Sequence, residues 1–571
     1  MNAAVDNVLM YSPSGELVET SRLERSNVVK FKTGKEIAEF CRTHNIVHEL
    51  DTTSRVLPTP ELKELFDKHY PIRRFPDIGL RAKGASTVIA LESKNKDNPD
   101  SLHGHVMSAI TGYVAKKLGA DIDSVFVQAD PELEYRKAFQ PQLADPMIAL
   151  LQDQGAAVIS SCVEWNDLHL DFDHPPNSQY ELFWHTTAFA LSSAGNNGLY
   201  GPNGDIEVPT QKHMAFCHAP PLAVSVGAVE WGESTPELTE GFYIPGYSSA
   251  NGPTFLAPVA PHAKVKWKNG VEPEAITGTS AAEPYAAADL AALNECFGPY
   301  LSREQILFAV IATCRKTVMV HKFGKQTPHD YSIMYKKNAA GHAFNDGPGG
   351  FGMIDAERAH HLLAHMVVLT QKNPKVITDP KIDPKEVRAE PPIPKNPEKF
   401  AAKDGFYYYD IELPAGYALK TTIEAQFTNA PSLDVSHGQI RMTSPSGTEI
   451  AMVTSRSYKH GVFNGESTTH GFTGEPTAGT WRMRSTQPIS RLRISAHRFM
   501  EGDIIHQLDI EKLLAAPLPY IENAVPLVEL KSSLRAVEKV AMQPRRPQLA
   551  AKGAEKMPHI PAVPQVAVAV M

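Results

Sequence analysis

The chain has 571 residues, a length that at roughly 150 residues per domain predicts about three or four domains. Apolar residues make up 42% and charged residues 21% of the chain, values typical of folded proteins that argue against wholesale disorder or a fibrous repeat. Lys and Arg number 56 against 64 Asp and Glu, which gives a net charge of −8. This mild acidity provides no electrostatic reason to expect nucleic acid or an anionic membrane as a partner.

The start of the chain lacks a basic segment followed by an apolar core, and no stretch approaches the roughly 18 consecutive apolar residues of a membrane helix. Five scattered cysteines form no CxxC pair, so neither a disulfide framework nor a zinc site built on such pairs is expected. We therefore expect a cytoplasmic protein of a reducing compartment. Export without an N-terminal signal, or association with a virion, is left open by the sequence.

Residues 1–84 combine a strand-like stretch at 27–32 with a helical pattern at 34–41, in which apolar residues recur at the i, i+3, i+4 spacing of one helix face. We predict a small α/β module there. From 85 to 370, short apolar runs rich in β-branched residues alternate with segments of helical period. This alternation predicts an α/β domain with a parallel sheet and helices on both of its faces.

Residues 371–399 carry seven prolines between Pro374 and Pro397, a density that predicts an extended linker without regular structure. Residues 400–508 show strand and turn patterns throughout, which predicts an all-β sandwich. Residues 509–571 are rich in Pro, Ala and Val and show no sustained period, so we expect a mobile or partner-bound tail.

The most informative stretch leads into an alanine-rich helix that begins near Ser280. Gly278 and Thr279 precede the serine, and Pro284 stands in the first turn of the predicted helix, where proline is tolerated. Two interpretations stay open from these residues alone. Ser280 is a nucleophile at a helix N-terminus, or Ser280 and Glu283 form a capping box in which the serine hydroxyl only accepts a backbone N–H.

A resemblance favours the first interpretation. The string GTSAAEPYAAA from Gly278 onward resembles the serine motif G-T-S-x-A-x-P of the subtilisin-like serine proteases, the subtilases. Four more segments resemble signatures of that family in the family's order: LSSAGN at 191–196, PLAVSVGAV at 221–229, YSSANGP with LAPV at 247–259, and GFGMIDAERA at 350–359. The resemblance implies a subtilisin-like α/β fold and a serine endopeptidase with Ser280 as its nucleophile.

The same resemblance assigns a base and an oxyanion donor. The string LHGHV at 102–106 is similar to the family's H-G-T-x-V, which implies that His103 is the general base. Asn196 ends the segment that resembles A-G-N, whose asparagine donates a hydrogen bond to the oxyanion. A base is required because a serine hydroxyl is a poor nucleophile until its proton is accepted.

The acid of the triad is where the chain departs from the family. The family's strand ending in D-S-G corresponds best to VIALESK at 88–94, which places Glu92 at the usual aspartate and Lys94 at a usual glycine. Glu92 and His103 are only 11 positions apart, a shorter connection than most members have. Asp97 and Asp100 therefore stay open as alternatives to Glu92.

The string AVISSCVEW at 157–165 resembles the strand with which the family pairs its substrate. The resemblance implies that an extended peptide is bound there by strand addition, at Ser161, Cys162, Val163 and Glu164. Further carboxylates follow at positions 167, 171 and 173. They indicate either a preference for basic substrate side chains or a solvated loop.

Two segments of the β region, at 438–450 and 474–483, resemble the P domain of kexin-like proprotein convertases, a β jelly roll that packs beside the protease domain. Residues 1–84 occupy the place of the family's inhibitory pro-domain, with a cleavage junction between Arg73 and Gly84 as a hypothesis. Calcium is common in the family, but Asp171, Asp173 and Glu272 are scattered candidates and no Asp-rich loop of metal spacing stands out.

We predict a serine endopeptidase that hydrolyses peptide bonds through an acyl-enzyme, acts on protein or peptide substrates and requires no cofactor. Nucleic acid and membranes are not expected as partners, and the oligomeric state and the metal ligands stay open. One alternative is a binding or assembly protein that keeps the subtilase scaffold without turnover, suggested by the unusual residues Glu92, Lys94, Glu164 and Glu283. Another is a serine esterase on the same scaffold.

Overall fold

A computed structural model gives the structure of the chain in a series of segments. The described residues are 10–11, 17–18, 49–51, 56–58, 70, 72–93, 103–122, 124–129, 156–161, 188–196, 222–232, 241–248, 253–259, 263–267, 274–276, 278–316, 319–321, 330–332, 334–373, 386–391, 393, 404–427, 440–452, 455–459, 462–486, 488–499 and 503–530. The strand predicted at 27–32 and the helix predicted at 34–41 lie outside them.

A mostly parallel sheet forms the centre of the N-terminal two thirds of the chain. The described strands of this region are β1 (Met10–Tyr11), β2 (Leu17–Val18), β3 (Glu49–Asp51), β4 (Val56–Pro58), β5 (Thr87–Ser93), β6 (Ser124–Ala129), β7 (Ala156–Ser161), β8 (Phe189–Ser193), β9 (Ala223–Gly232), β10 (Gly241–Ile244), β11 (Phe255–Pro258), β12 (Ala263–Trp267), β13 (Glu274–Ile276), β14 (Met319–His321), β15 (Asp330–Ser332), β16 (Lys336–Lys337) and β17 (Ala343–Phe344). The order in the sheet is β15-β14-β10-β9-β8-β7-β5-β6-β3, and β11 also pairs with β9.

Strands β6, β5, β7, β8 and β9 are parallel to one another, while β3 and β10 pair with their neighbours in the antiparallel sense. The inner strands carry near-continuous apolar runs because both of their faces are covered: Val88, Val158 and Phe189 are fully buried. The α/β domain predicted from the alternation of strands and helices is thus confirmed as a mixed, mostly parallel sheet with helices.

The described α-helices are α1 (His103–Leu118), α2 (Thr279–Phe297), α3 (Arg303–Thr313), α4 (Ala356–Lys372) and α5 (Ile510–Ala515). Every residue of α2 except Cys296 is buried. The helix packs against the central strands and against α1, α3 and α4, and its alanines permit this close approach on several sides because they carry a single methyl group. Among the described helices, none combines the length and the apolar character needed to cross a lipid bilayer.

The C-terminal third contains two antiparallel sheets. Its described strands are β18 (Glu386–Ala389), β19 (Tyr407–Leu413), β20 (Tyr417–Phe427), β21 (Ile440–Thr443), β22 (Glu449–Met452), β23 (Ser455–Lys459), β24 (Val462–Thr469), β25 (Gly479–Ser485) and β26 (Ile489–Phe499). The sheet orders are β18-β26-β20-β24-β23 and β19-β25-β21-β22, and apolar residues of both sheets, among them Ile494 and Trp481, belong to one buried cluster. The β prediction is borne out at this level; a P-domain jelly roll stays a prediction.

A buried polar contact joins the β region to the parallel sheet. Lys420 Nζ and His470 Nε2 each lie 3.2 Å from the carbonyl oxygen of Ala223, the first residue of β9. Burial and the nearby Lys420 charge lower the pKa of His470 to about 3. The ring is therefore neutral at physiological pH, and the contact holds β9 without adding a second buried charge.

The linker prediction for 371–399 is wrong in one part. Glu386–Ala389 forms β18, which pairs antiparallel with β26 and occupies the edge of its sheet. This stretch contains no proline, so all its backbone N–H groups are able to join the ladder, whereas the prolines lie on either side.

The mobile or partner-bound tail expected from residue 509 onward does not describe residues 509–530, which pack against other parts of the same chain. A C-terminal strap, residues 503–530, returns from the β region to the α/β domain and includes α5. Val525 exchanges two hydrogen bonds with the Gln371 side chain, and Leu527 N–H donates to the carbonyl of Pro299 at 2.7 Å. The strap has fixed partners because its polar backbone groups are satisfied by helix ends.

The strap also holds the lead segment, residues 72–85, which enters the α/β domain ahead of β5. Ile521 N–H donates to the carbonyl of Ile78 at 2.7 Å, and Ile521 is fully buried. Gly79 has φ +82°, and a Cβ there would lie 2.7 Å from the Ile521 carbonyl oxygen, so only glycine fits this crossing. Gly84 N–H donates to the Glu295 carbonyl at the end of α2. Chain segments more than 400 residues apart are thus packed together.

Candidate functional site

The described positions among the sequence-predicted site residues lie at the carboxyl edge of the parallel sheet: Glu92, His103, Ser161, Asn196 and Ser280. Leu91 of β5 is in register with Ser161 of β7, and Ser161 is in register with Ser192 of β8. The chain places β6 on one side of β5 and β7 on the other, so the strand order reverses at β5. Ligands of open α/β sheets bind in the crevice outside the carboxyl ends at such a reversal, and Glu92 and Ser161 lie at the ends of the two strands that border it.

The turn before Ser280 has a backbone conformation that requires glycine. Gly278 is the N-cap of α2 with φ 98° and ψ 172°, a region that L side chains rarely adopt. A Cβ on Gly278 would lie 2.9 Å from Asn196 Oδ1 and 3.0 Å from its Nδ2. The sequence G-T-S therefore delivers Ser280 into the first turn of α2 while bringing the chain against the Asn196 carboxamide.

Asn196 is bound to this turn by its oxygen. Thr279 N–H donates to Asn196 Oδ1 at 2.8 Å and Thr279 Oγ1 donates to the same oxygen at 2.9 Å. The backbone N–H of Gly195, which has φ 93°, donates to Thr279 Oγ1 at 3.2 Å. Two donors thus fix the carboxamide oxygen on Thr279. The Asn196 residue as a whole is exposed.

His103 is the first residue of α1 and is partly buried. Helix α1 follows β5 in a β-α-β crossover, so it begins at the same carboxyl edge of the sheet. It packs along α2, and Thr111 Oγ1 donates to the Pro284 carbonyl at 3.3 Å. The structure therefore places the His103 and Ser280 positions in the first turns of two adjacent helices; their catalytic roles stay predictions.

The capping-box interpretation of Ser280 is wrong. Helix α2 begins one residue earlier, at Thr279, and its N-cap is Gly278 without a side-chain cap. Glu283 is fully buried and accepts a hydrogen bond of 2.6 Å from Ser160 Oγ in β7. The carboxylate thus points into the sheet rather than back to the helix terminus, because the first turn of α2 lies against β7.

Several predicted residues cannot be placed at the level of their side chains. The backbone of Glu92 and of Ser161 lies in β5 and β7, but their side chains, like the positions of Lys94, Asp97, Asp100, Cys162, Val163 and Glu164, are outside the described part of the structure. The same holds for Asp171, Asp173 and Glu272, the scattered calcium candidates. Within the described residues, no cluster of three or more His, Cys, Asp or Glu has the arrangement of a metal site; calcium binding stays a prediction.

Two residues of the site were missed by sequence reasoning. Thr279 anchors Asn196, and Ser160 is the partner of Glu283. The motif contained Thr279, but nothing in its spacing indicated a contact with a residue 83 positions away. Ser160 is a polar residue inside an apolar, β-branched run. A buried polar side chain needs a hydrogen-bond partner, so this residue could have indicated one.

No known protein family and no curated protein matches the chain. Among solved structures it resembles the serine protease of Aeromonas sobria, with 14% identity, 74% of this chain and 96% of that chain covered, and a TM-score of 0.43. The same protease in complex with its chaperone gives 15% identity, coverage of 73% and 88%, and a TM-score of 0.43. MycP1 from Mycobacterium smegmatis is 16% identical, with 49% of this chain and 80% of that chain covered and a TM-score of 0.28. These neighbours are serine proteases, but likenesses at such identities and TM-scores carry no weight for the roles of individual residues.

Replacing Glu283 by alanine is expected to lower the free energy of unfolding by about 1.5–3 kcal/mol, because it leaves the buried Ser160 hydroxyl without its acceptor. Glu283→Gln retains an acceptor oxygen and should lose less. The measurement is urea unfolding of Glu283→Ala, Ser160→Ala and the double variant. A coupling energy near zero in that cycle would contradict a stabilising contact between the two side chains.

Proposed function

We propose that the chain is a serine endopeptidase of subtilisin-like fold. The observation that carries this proposal is the contact between Asn196 and Thr279, in which the carboxamide oxygen is held by two donors beside the turn that carries Ser280. These two hydrogen bonds fix the orientation of the carboxamide. An oxyanion donor requires such anchoring, because its NH₂ group must be fixed before charge develops on the substrate.

In the proposed reaction, Ser280 Oγ attacks the carbonyl carbon of the scissile peptide bond while His103 accepts the hydroxyl proton. The C–N bond breaks when the resulting imidazolium donates that proton to the leaving amine, which leaves an acyl-enzyme on Ser280. Water then repeats the sequence, with His103 first as base and then as acid. Both positions lie in first turns of packed helices at one edge of the sheet, which supports this division of labour.

The remaining groups are proposed to orient the His103 ring, to stabilise the charges that form and to bind the substrate. Glu92, at the end of β5, is proposed to accept from the His103 ring and to stabilise the imidazolium, with Asp97 and Asp100 as the alternatives. Asn196 Nδ2 donates to the oxyanion of the tetrahedral intermediate. Ser161 is the last residue of β7, and an extended peptide substrate is proposed to pair with the segment from Ser161 through Cys162 and Val163 to Glu164.

The test is labelling by a fluorophosphonate, which reacts with an activated serine. We expect the full-length chain to be labelled and Ser280→Ala not to be labelled. Ser490→Ala, which changes an exposed serine of β26, is the matched control and should label like the wild type. A folded wild-type chain that is not labelled would overturn the proposal in favour of a scaffold that has lost turnover.

A second assay separates peptidase from esterase on the same scaffold. The wild type is offered a peptide library and a set of simple activated esters. Cleavage of internal peptide bonds that disappears in Ser280→Ala supports the endopeptidase. Ester hydrolysis by a labelled enzyme with no cleavage of any peptide would favour the esterase.

A further inference from the structure

A cleft along α2 contains a buried carboxyl group that no hydrogen bond accounts for. The cleft has a volume of about 70 Å³ and is bordered by α2, β10, the lead segment and the beginning of α4. Asp289, on α2, is only 2% exposed, and its Oδ1 has no hydrogen-bond partner among the described residues. Such a group is costly unless something that enters the cleft pairs with it.

The neighbouring acid, Asp355, is fully engaged elsewhere. Its Oδ1 accepts from Arg358 N–H at 3.0 Å and caps α4, and its Oδ2 accepts from Arg315 Nε at 2.6 Å. At the rim, Arg73 and Glu357 form an exposed pair at 3.7 Å. Each guanidinium group that lines the cleft thus has its own carboxylate, and Asp289 is the carboxylate left over.

The walls suit a cation. Tyr70, Phe242 and Tyr285 line the cleft, and the rings of Tyr70 and Phe242 lie 5.5 Å apart. Aromatic faces attract cations electrostatically, most strongly where water is excluded. Tyr285 and Asp289 are one helical turn apart on α2, so they face the same space.

We propose that this cleft binds a small monovalent cation, with a primary ammonium group as the best fit, through the carboxylate of Asp289. An ammonium supplies N–H donors to the carboxylate, and its alkyl part packs on the rings. A multivalent metal ion fits less well, because no cluster of three or more His, Cys, Asp or Glu ligands occurs in the described part of the chain. The volume admits a few water-sized groups, as methylammonium requires.

Binding is linked to pH. Burial, and then the nearby Asp355 charge, raise the pKa of Asp289 well above its ordinary range, so the empty cleft holds a protonated Asp289 to higher pH than usual. A cation binds the ionised form and releases that proton. Its apparent affinity therefore rises with pH until the Asp289 pKa is passed, and falls as pH is lowered. The titratable and charged groups that line the cleft with Asp289 are Tyr70, Arg73, Tyr285, Arg315, Asp355 and Glu357.

The experiment measures the melting temperature of the full chain at pH 6.0, 7.0 and 8.5 in methylammonium, potassium or tetramethylammonium chloride, against sodium chloride at equal ionic strength. We expect methylammonium to raise the melting temperature by about 2–4 °C at saturating concentration, most at pH 8.5. Potassium should act less. Tetramethylammonium, which has the charge but no N–H, should act least.

Asp289→Asn is expected to remove both the effect and its pH dependence, and Glu511→Gln, which removes an exposed carboxylate outside the cleft, should retain both. Asp289→Asn keeps nearly the same side-chain shape and introduces no charge, so it should fold without the cation. A wild type that shows no shift beyond sodium, or a shift that becomes smaller as pH rises from 6.0 to 8.5, would overturn the proposal without reference to any variant. An equal shift in Asp289→Asn would do so too.

Discussion

Replacing Asn196 by aspartate is expected to lower kcat for peptide cleavage by a factor of about 10²–10³ while leaving the fold intact, if the proposed peptidase activity is correct. Aspartate keeps an oxygen for Thr279 N–H and Oγ1, so the turn before Ser280 should retain its geometry. It has no NH₂ group, so it cannot donate to the oxyanion. The loss should appear in kcat rather than KM, because this hydrogen bond forms mainly in the transition state.

Two further variants distinguish the loss of the hydrogen bond to the oxyanion from the effects of an added charge or a disrupted turn. Asn196→Ala removes the donor without adding a charge near His103, and an equal loss in both variants would assign the effect to the missing N–H. Thr279→Ser keeps both donors to Asn196 and should stay close to wild-type kcat. Wild-type kcat in Asn196→Ala would contradict an oxyanion role, and a loss in Thr279→Ser as large as in Asn196→Asp would point to general disruption of the turn.

The sheet could be predicted from the sequence because its signals are local. Apolar β-branched runs such as 157–160 and 222–226 correspond to inner strands that are covered on both faces. The order of the strands was not available from these patterns. The placement of β6 and β7 on opposite sides of β5 is decided by packing, and it is this reversal that creates the crevice where the site lies.

The site was predictable only where a motif contained it. The motif contains the residues from Gly278 to Ser280 in one string. It therefore includes the glycine whose positive φ the turn before the serine requires. The contact of Glu283 with Ser160 spans 123 positions, and the three-residue spacing between Ser280 and Glu283 favoured a local capping box instead. A sequence pattern favours contacts between residues that are close in the chain. A side chain in the first turn of a helix can instead contact the sheet on which the helix packs, as Glu283 does.

The strap escaped prediction because its stability comes from distant partners. Residues 509–530 have no amphipathic period, and α5 spans only six residues, too few to be stable by themselves. Their hydrogen bonds go to α4, to the end of α2 and to the lead segment. The structure of the strap therefore depends on contacts with elements that lie on the other side of the β region in the sequence.

Replacing Ile521 by alanine is expected to lower the free energy of unfolding of the α/β region by about 2–5 kcal/mol, since the side chain is fully buried and its removal leaves a cavity. The effect should extend to the lead segment, because Ile521 N–H donates to Ile78 and the Ile521 carbonyl lies against Gly79. Hydrogen exchange in 72–85 should accelerate along with exchange in the strap. Urea unfolding gives the global value.

Val528→Ala is the matched control within the same strap, because Val528 is 76% exposed and such a change should alter stability by no more than about 0.5 kcal/mol. If Ile521→Ala accelerated exchange in the strap alone, the lead segment would be held by α2 through Gly84 and Glu295 rather than by the strap. If Ile521→Ala changed hydrogen exchange in neither the strap nor the lead segment, the strap would not stabilise the α/β domain. Joint acceleration would show that the last described residues stabilise the segment by which the chain enters the sheet, so that the α/β domain is complete only when the strap is in place.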